Sequence, residues 1–303
     1  MGAGRVQPLP RTGGRVRQFP VFVDWRAGHV AAVVTVPDAD PEGIVISLAG
    51  TGRHNVIGST MCAQLSQRVV AQGLASVRLD YAGVGDSPGL VAAWTPSDVE
   101  EATRQARAVV AVAMDALDVG RFVAVGTCYG SRVALTLVSE PSCVGAVCLA
   151  PPVLELGGLS RIGRQVGERT ILSFVKSNAA LRRLIRPLRS TLRARRPAAT
   201  VVGAFEHLDR ARIAFLYGTP PFDDHYSQRA REVVDASLEA LPSGAREHFE
   251  LRMLPWGPLS TFDILSPADQ DAVLDVVMPL VSGPLRVDER MPTPDVVPLP
   301  TKR

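Results

Sequence analysis

One stretch, residues 122–138, constrains the fold of this 303-residue chain more than any other. An apolar run of β-forming residues reaches Gly126, a second glycine follows at Gly130, and an apolar helical pattern continues from there. Glycine has no Cβ atom, so backbone segments can approach closely in a sharp turn at those positions. The stretch therefore predicts a strand, a tight turn and a helix, with Cys128 at the turn, which is the layout of a nucleophile elbow.

Strand-like and helical segments alternate along most of the chain. A hairpin is predicted at 19–36, and apolar strands are predicted at 43–50, 74–80, 122–126, 144–150, 212–217 and 248–254. Helical patterns are found at 61–72, 98–117, 228–241 and 267–281. This alternation predicts an α/β fold with a mostly parallel sheet and helices on both faces. Reactive groups of such sheets lie at the carboxyl ends of the strands, and Cys128 follows one of them.

Composition narrows the class of protein. The chain is 46% hydrophobic, enough for a large core, and its formal charge of +3 is too small to indicate a nucleic-acid partner. The four cysteines show no paired or zinc-like spacing, which predicts free thiols in a reducing compartment. No signal-peptide pattern and no apolar run of membrane-spanning length is found, so we expect a cytoplasmic location. No motif implies a metal ion or an organic cofactor.

Composition and pattern also divide the chain. We expect a flexible N-terminus at 1–18, a core formed by 19–152 and 210–282, a helical cap inserted at 153–209, and a disordered Pro-rich tail at 283–303. The cap contains a basic run at 182–196. Such a run is usually a solvated helix face, but at the mouth of an active site it would attract an acidic or carrier-bound substrate.

The order of these elements resembles the α/β-hydrolase fold superfamily over residues 19–282. The Gly-Thr-Cys-Tyr-Gly sequence around Cys128 resembles the family's G-x-S-x-G motif, with cysteine in place of serine. Residues 80–87 are similar to the family's D-x-x-G-x-G-x-S loop, and the strand that ends at Thr51 lies where the family's oxyanion loop begins. The resemblance implies an esterase-like or thioesterase-like enzyme without a cofactor.

The side chain at the predicted turn has two interpretations. Free cysteine is often a small buried residue, so Cys128 could simply occupy a tight turn. The two glycines and the strand-to-helix context favour a nucleophile, because the N-terminus of the following helix lowers the pKa of a thiol. The resemblance implies that the backbone N–H groups of Tyr129 and Thr51 stabilise an oxyanion. The other three cysteines are expected in the core: Cys62, Cys143 and Cys148.

The resemblance places the catalytic acid after the strand at 212–217. Asp223 and Asp224 follow that strand, and paired aspartates after two prolines are also a routine turn composition. We prefer Asp224 as the acid because it adjoins His225. The choice between the two aspartates stays open.

The resemblance places the catalytic histidine after the strand at 248–254, and no histidine follows that strand. Two of the five histidines, His54 and His225, belong to loops expected at the active-site edge, and the sequence does not choose between them as base. The remaining three are expected elsewhere, in the first hairpin, near the end of the cap or on the far side of the sheet: His29, His207 and His248.

These features predict an enzyme that acts on an ester or thioester of a small acyl substrate, with Cys128 as nucleophile. A thiolate attacks without a base, but hydrolysis of an acyl-enzyme requires an activated water. One alternative is therefore a lyase, cyclase or acyl transferase of a bacterial natural-product pathway on the same fold. Another is a binding protein that has lost its catalytic triad. The sequence leaves the substrate and the oligomeric state open.

Overall fold

The computed structural model describes residues 17–26, 28–48, 59–88, 99–154, 197–218, 228–259, 262 and 265–286. Within these residues eight strands form one sheet: β1 (Arg17–Trp25), β2 (Gly28–Val36), β3 (Ile44–Leu48), β4 (Ala75–Asp80), β5 (Phe122–Thr127), β6 (Cys143–Leu149), β7 (Arg212–Gly218) and β8 (Phe249–Leu254). The strand order is β1-β2-β4-β3-β5-β6-β7-β8. β2 is antiparallel to β1 and β4, and the other neighbouring pairs are parallel. The predicted mostly parallel sheet is confirmed.

The helices of the described ranges are α1 (Thr60–Ala71), α2 (Val99–Leu117), α3 (Gly130–Leu137), α4 (Ala199–Phe205), α5 (Gln228–Glu239), α6 (Ser243–Arg246) and α7 (Pro267–Leu285). Parallel connections within a sheet are right-handed. The connection from β3 through α1 to β4 runs in one direction across the sheet. The connections from β4 through α2 to β5, and from β5 through α3 to β6, run in the opposite direction. α1 therefore covers one face together with α7, and α2 and α3 cover the other. In the described part of the chain no helix is both long and apolar enough to cross a membrane.

The central strands are apolar because helices cover both of their faces. β3 and β4 are buried at every residue, and β5 is buried up to its last residue, Thr127. Full burial of each valine, leucine or isoleucine contributes about 1.5–3 kcal/mol to folding. The edge strand β1 instead alternates half-buried and exposed residues. The well-packed centre of the sheet provides a rigid base for the loops at its carboxyl edge.

The closing helix is longer than the sequence predicts. Proline and glycine disfavour a helix interior, and the pattern therefore indicated an end near residue 281. In the structure α7 continues to Leu285, so residues 283–285 are helical and not part of the tail. Leu285 is buried, and a side chain at Gly43 would collide with it. Tertiary packing at the end of the helix outweighs the local preference.

The chain between β6 and β7 leaves and re-enters the core at neighbouring points. Leu154 forms an antiparallel bridge with Pro197, and the Ala198 N–H donates to the Val153 carbonyl oxygen at 2.8 Å. We call residues 153–154 and 197–198 the neck. Residues 155–196, which make up most of the predicted cap, lie outside the described residues, so the cap stays a prediction.

The helix that follows the neck belongs to the packed core. α4 contacts α3, and its residues Val201 and Phe205 are buried. The Phe205 ring lies 6.0 Å from the ring of Phe215 in β7, measured between centroids. The returning chain is therefore anchored on the sheet before β7 begins.

Candidate active site

The turn after β5 is a strained elbow. Cys128 has a φ of +50°, in the left-handed region that costs a non-glycine residue about 1–2 kcal/mol. Its backbone N–H donates to the Leu149 carbonyl oxygen at 2.8 Å, and its own carbonyl oxygen accepts from the Ser131 N–H at 3.1 Å. β6 and α3 thus hold the residue in this conformation from two sides. Strain maintained in this way is typical of a functional position.

Gly126 and Gly130 explain how the turn closes. A Cβ atom at Gly126 would lie 2.5 Å from the Gly130 carbonyl oxygen and 2.6 Å from the Ser131 Cα. These are backbone atoms, which cannot rotate away as a side chain would. The Ser131 hydroxyl also donates to the Gly126 carbonyl oxygen at 2.9 Å and ties the helix to the strand. The predicted close approach is confirmed.

The four cysteines occupy two kinds of environment. Cys128 is half-exposed, whereas the other three are buried, as the sequence predicted: Cys62, Cys143 and Cys148. Burial raises the pKa of Cys143 to about 12, and burial also raises the pKa of Cys148 well above its usual value. Both of those thiols are therefore protonated at neutral pH and inaccessible, while Cys128 keeps part of its surface exposed.

The N-terminus of α3 lies directly beside the sulfur-bearing residue. No side chain caps this helix end, and the Tyr129 N–H has no hydrogen-bond acceptor among the described residues. Unpaired N–H groups at a helix N-terminus favour negative charge nearby. Burial raises the pKa of the Tyr129 phenol, the charge of Cys128 raises it further, and Arg132 opposes the change. The phenol therefore stays neutral next to the sulfur.

The end of β6 is fixed next to the elbow. Ala150 has a φ of +49°, and its N–H donates to the Leu216 carbonyl oxygen at 2.7 Å. The buried Tyr217 hydroxyl donates to the Pro151 carbonyl oxygen at 2.8 Å. Two adjacent residues after β6 are thus hydrogen-bonded to β7, so the path of the chain that leads to the neck is defined where it passes the elbow.

Several predicted site residues lie outside the described residues: the oxyanion donor Thr51, the base candidates His54 and His225, and the acid candidates Asp223 and Asp224. Their roles stay predictions. Cys128 and Tyr129 are the two predicted site residues that the structure describes, and they are adjacent at the elbow.

The other three histidines are too far from the sulfur to act as base. His207 precedes β7 and His248 precedes β8, so both lie at the amino ends of strands, opposite the elbow. His29 lies at the start of β2, near the carboxyl end of its neighbour β4. β2 is three strand spacings from β5, about 14 Å. His54 and His225 therefore stay the two predicted candidates for the base.

The loop after β8 is built for packing. A Cβ atom at Gly218, the last residue of β7, would lie 2.6 Å from the Trp256 carbonyl oxygen, so the loop crosses directly over the end of that strand. Leu259 and Phe262 are buried in the main core. Where the resemblance placed a catalytic histidine, the described residues Leu259 and Phe262 have buried apolar side chains.

The loop after β4 has a structural role. The Ser87 hydroxyl donates to the Asp80 carbonyl oxygen and accepts from the Ala31 N–H at 2.8 Å. This joins the loop to β2 and β4. Across the residues that the structure describes, no group of three or more His, Cys, Asp and Glu side chains could hold a metal ion.

One residue at the site was not predicted from the sequence, Arg132. It is buried on α3, one helical turn after Cys128, and it donates to the carbonyl oxygens of Pro152 and Leu154. A single arginine within the apolar run that follows Gly130 is the signal that could have identified it, because a buried guanidinium requires several acceptors.

No protein-family model matches the sequence, and no functionally curated protein matches it. Several solved structures do match the structure of this chain. An esterase of Pyrococcus furiosus superposes with a TM-score of 0.57 at 16% identity, over 93% of this chain and 100% of its own. A dienelactone hydrolase of Anabaena variabilis gives a TM-score of 0.55 at 12% identity, over 88% and 97%. The mouse alpha/beta hydrolase domain-containing protein 10 gives 0.53 at 15% identity, over 88% and 99%.

At these identities the likeness concerns the fold. The strand order, the antiparallel β2 at one side of the sheet and the strained turn between β5 and α3 agree with it. The chain has the α/β-hydrolase fold.

Proposed function

We propose that this chain is an enzyme of hydrolase type that cleaves an ester or thioester of a small acyl substrate through the Cys128 sulfur. The single observation that carries the proposal is the elbow itself. A half-exposed cysteine stands at a φ of +50° between two glycines, with the N-terminus of α3 beside it. Backbone strain of this kind clusters at active sites.

The reaction begins with attack of the Cys128 thiolate on the acyl carbonyl carbon. A carbon–sulfur bond forms and the carbonyl oxygen becomes an oxyanion, which accepts from the backbone N–H groups of Tyr129 and Thr51. The bond to the leaving group then breaks, and the alkoxide or thiolate departs with its electron pair. The product is an acyl-enzyme in which the acyl group is bound to sulfur as a thioester.

Release of the acyl group is the step that distinguishes the two candidate functions. Hydrolysis needs a base for the water, and His54 or His225 would serve, oriented by Asp224 or Asp223. The apolar packing of Leu259 and Phe262 favours the second candidate, in which the acyl group passes to another nucleophile or the substrate undergoes elimination or cyclisation. Neither requires a metal ion or a cofactor.

The basic run in the sequence is relevant to the charge of the substrate. It spans 182–196 and ends one residue before Pro197 of the neck, and the neck follows the carboxyl end of β6 beside the elbow. Positive charge at the mouth of an active site attracts an acyl group carried on an anionic molecule. An acidic or carrier-bound acyl substrate is therefore part of the proposal.

The test compares p-nitrophenyl acetate with an acyl thioester, using the wild type, Cys128→Ala and a matched Cys62→Ala control. We expect kcat/KM to fall at least about a hundredfold in Cys128→Ala. The control should stay within about threefold, because Cys62 is buried in α1, on the opposite face of the sheet from α3. Turnover that persists in Cys128→Ala would refute the assignment of Cys128 as the nucleophile.

Two further measurements separate the alternatives. Iodoacetamide should alkylate Cys128 at neutral pH faster than an ordinary exposed thiol, whereas a binding protein with a relic cysteine predicts no excess rate. Labelled water separates hydrolysis from transfer or elimination, because its oxygen enters the acid product only when an acyl-enzyme is hydrolysed.

A further inference from the structure

The reaction at Cys128 makes no direct use of Arg132, yet this side chain is one of the most constrained near the elbow. It is 4% exposed and lies on α3. Its Nη2 donates to the Leu154 carbonyl oxygen at 2.7 Å, and its Nε and Nη2 both donate to the Pro152 carbonyl oxygen at 3.3 Å. All of these acceptors belong to the chain that runs from β6 into the neck.

The same guanidinium also contacts the elbow. It lies over the Tyr129 ring, with its central carbon 5.7 Å from the ring centroid. A guanidinium is planar and presents donors in fixed directions while its face stacks on an aromatic ring. One buried cation therefore joins the residue after Cys128 to the chain that enters the neck.

The two segments of the neck are bonded to each other, so the contact with Arg132 also reaches the returning chain. The Val153 carbonyl oxygen accepts from the Ala198 N–H, and Leu154 is bridged to Pro197. Residues that flank the inserted stretch on both sides are thus held to α3, directly by Arg132 or through one hydrogen bond or bridge.

We propose that Arg132 is a positioning residue that fixes the neck relative to Cys128 and thereby sets which acyl chains reach the sulfur. The proposal rests on the proposed function, since acyl groups are selected only if Cys128 attacks them. The Leu149 carbonyl oxygen accepts from the Cys128 N–H, so the chain that Arg132 holds begins beside the residue that carries the acyl group. In this proposal a longer acyl chain has more contact with the neck, so its KM depends more on where the neck is held. Arg132 itself does not touch the reacting atoms.

The chain offers a matched control at the other end of α3. Arg210 donates to three consecutive backbone carbonyl oxygens there, those of Val138, Ser139 and Glu140, at 2.8, 2.9 and 2.9 Å. It has the same chemistry and a similar number of bonds, but it lies before β7, at the amino edge of the sheet. Arg210→Met therefore reports the loss of structure alone.

The experiment measures Arg132→Met, Arg132→Lys and Arg210→Met in two ways. In hydrogen–deuterium exchange of the folded proteins, we expect the Ala198 amide to exchange roughly tenfold faster in Arg132→Met and at the wild-type rate in Arg210→Met. With p-nitrophenyl butyrate, we expect KM to rise roughly tenfold in Arg132→Met, while KM for p-nitrophenyl acetate and kcat for both substrates stay within about threefold. Arg132→Lys should not restore KM, because an ammonium has no planar fork.

Ala198 exchange that is unchanged, or that rises equally in Arg210→Met, would overturn the proposal. A fall in kcat at constant KM would also overturn it, because that pattern indicates lost stabilisation of the transition state. The proposed function fails differently: a wild type without ester or thioester turnover refutes it, and the acyl-selection role with it, whatever the exchange result. If the wild type shows turnover but the Ala198 exchange rate does not respond to Arg132→Met, only the role of Arg132 is refuted.

Discussion

The elbow after β5 and the loop after β8 lie at the same carboxyl edge of the sheet, and their residues are used differently. At the elbow, Cys128 is held at a positive φ and its side chain remains half-exposed. In the loop after β8, Leu259 and Phe262 turn inward and are buried, and the backbone at Trp256 crosses close to Gly218. One region holds a partly exposed side chain on a strained backbone, and the other uses its side chains for stability.

The difference indicates which part of the site depends on backbone geometry. A nucleophile at a sharp turn needs a specific strand, helix and pair of glycines, so its position is tied to the fold. A base can come from any loop that brings a histidine within reach. The apolar loop after β8 is thus compatible with a reactive Cys128, provided that His54 or His225 supplies the base or that no base is needed.

The largest expected effect is at the elbow. Gly126→Ala places a Cβ atom 2.5 Å from a backbone oxygen of Gly130, and the helix start would have to move. We expect a loss of about 4 kcal/mol in the free energy of unfolding, measured by urea denaturation, together with loss of turnover. Gly120→Ala is the control, since nothing lies within 4 Å of its added atom. Similar stabilities for the two variants would contradict the close approach.

The loop after β8 should respond in stability and not in chemistry. Leu259→Ala removes a fully buried side chain and should cost about 3 kcal/mol in unfolding free energy. The iodoacetamide alkylation rate of Cys128 in the folded variant should stay within about twofold of the wild type, because the loop does not hold the elbow. A much slower alkylation would show that the two regions are coupled.

The smallest expected effect concerns the strain at the turn. Glycine adopts a positive φ without a Cβ penalty, so Cys128→Gly should be more stable than Cys128→Ala by about 1 kcal/mol, measured by thermal or urea unfolding. Cys148→Ala and Cys148→Gly, in the middle of β6, form the matched pair, where glycine should be the less stable. Equal stabilities at position 128 would argue against a strained elbow.

Much of the fold could be predicted because its signals are local. The buried strands are continuous apolar runs, and the glycines at 126 and 130 mark the elbow. The predicted end of α7 was wrong by four residues, because Leu285 is held by packing against Gly43 and not by helix preference. The short helix α6 was missed because four residues leave no hydrophobic period to detect.

The site was predictable only in part. The elbow motif predicts the position of Cys128 and Tyr129 at the turn, and the structure has them there, while their roles stay predictions. The contacts of Arg132 with Pro152 and Leu154 join residues 20 and 22 positions apart, and no local pattern encodes such a pairing. The approach of Trp256 to Gly218 is likewise a tertiary contact, visible only when β7 and β8 are placed side by side.

The most direct test of the central claim is to trap the acyl-enzyme. The wild type and Cys128→Ala are mixed with p-nitrophenyl acetate, quenched in acid within one turnover and mapped by peptide mass spectrometry. A reactive elbow predicts one acetyl group on the peptide that contains Cys128 and none on Cys128→Ala. Release of p-nitrophenol with the acetyl group on another residue, or with no adduct at any time, would contradict it.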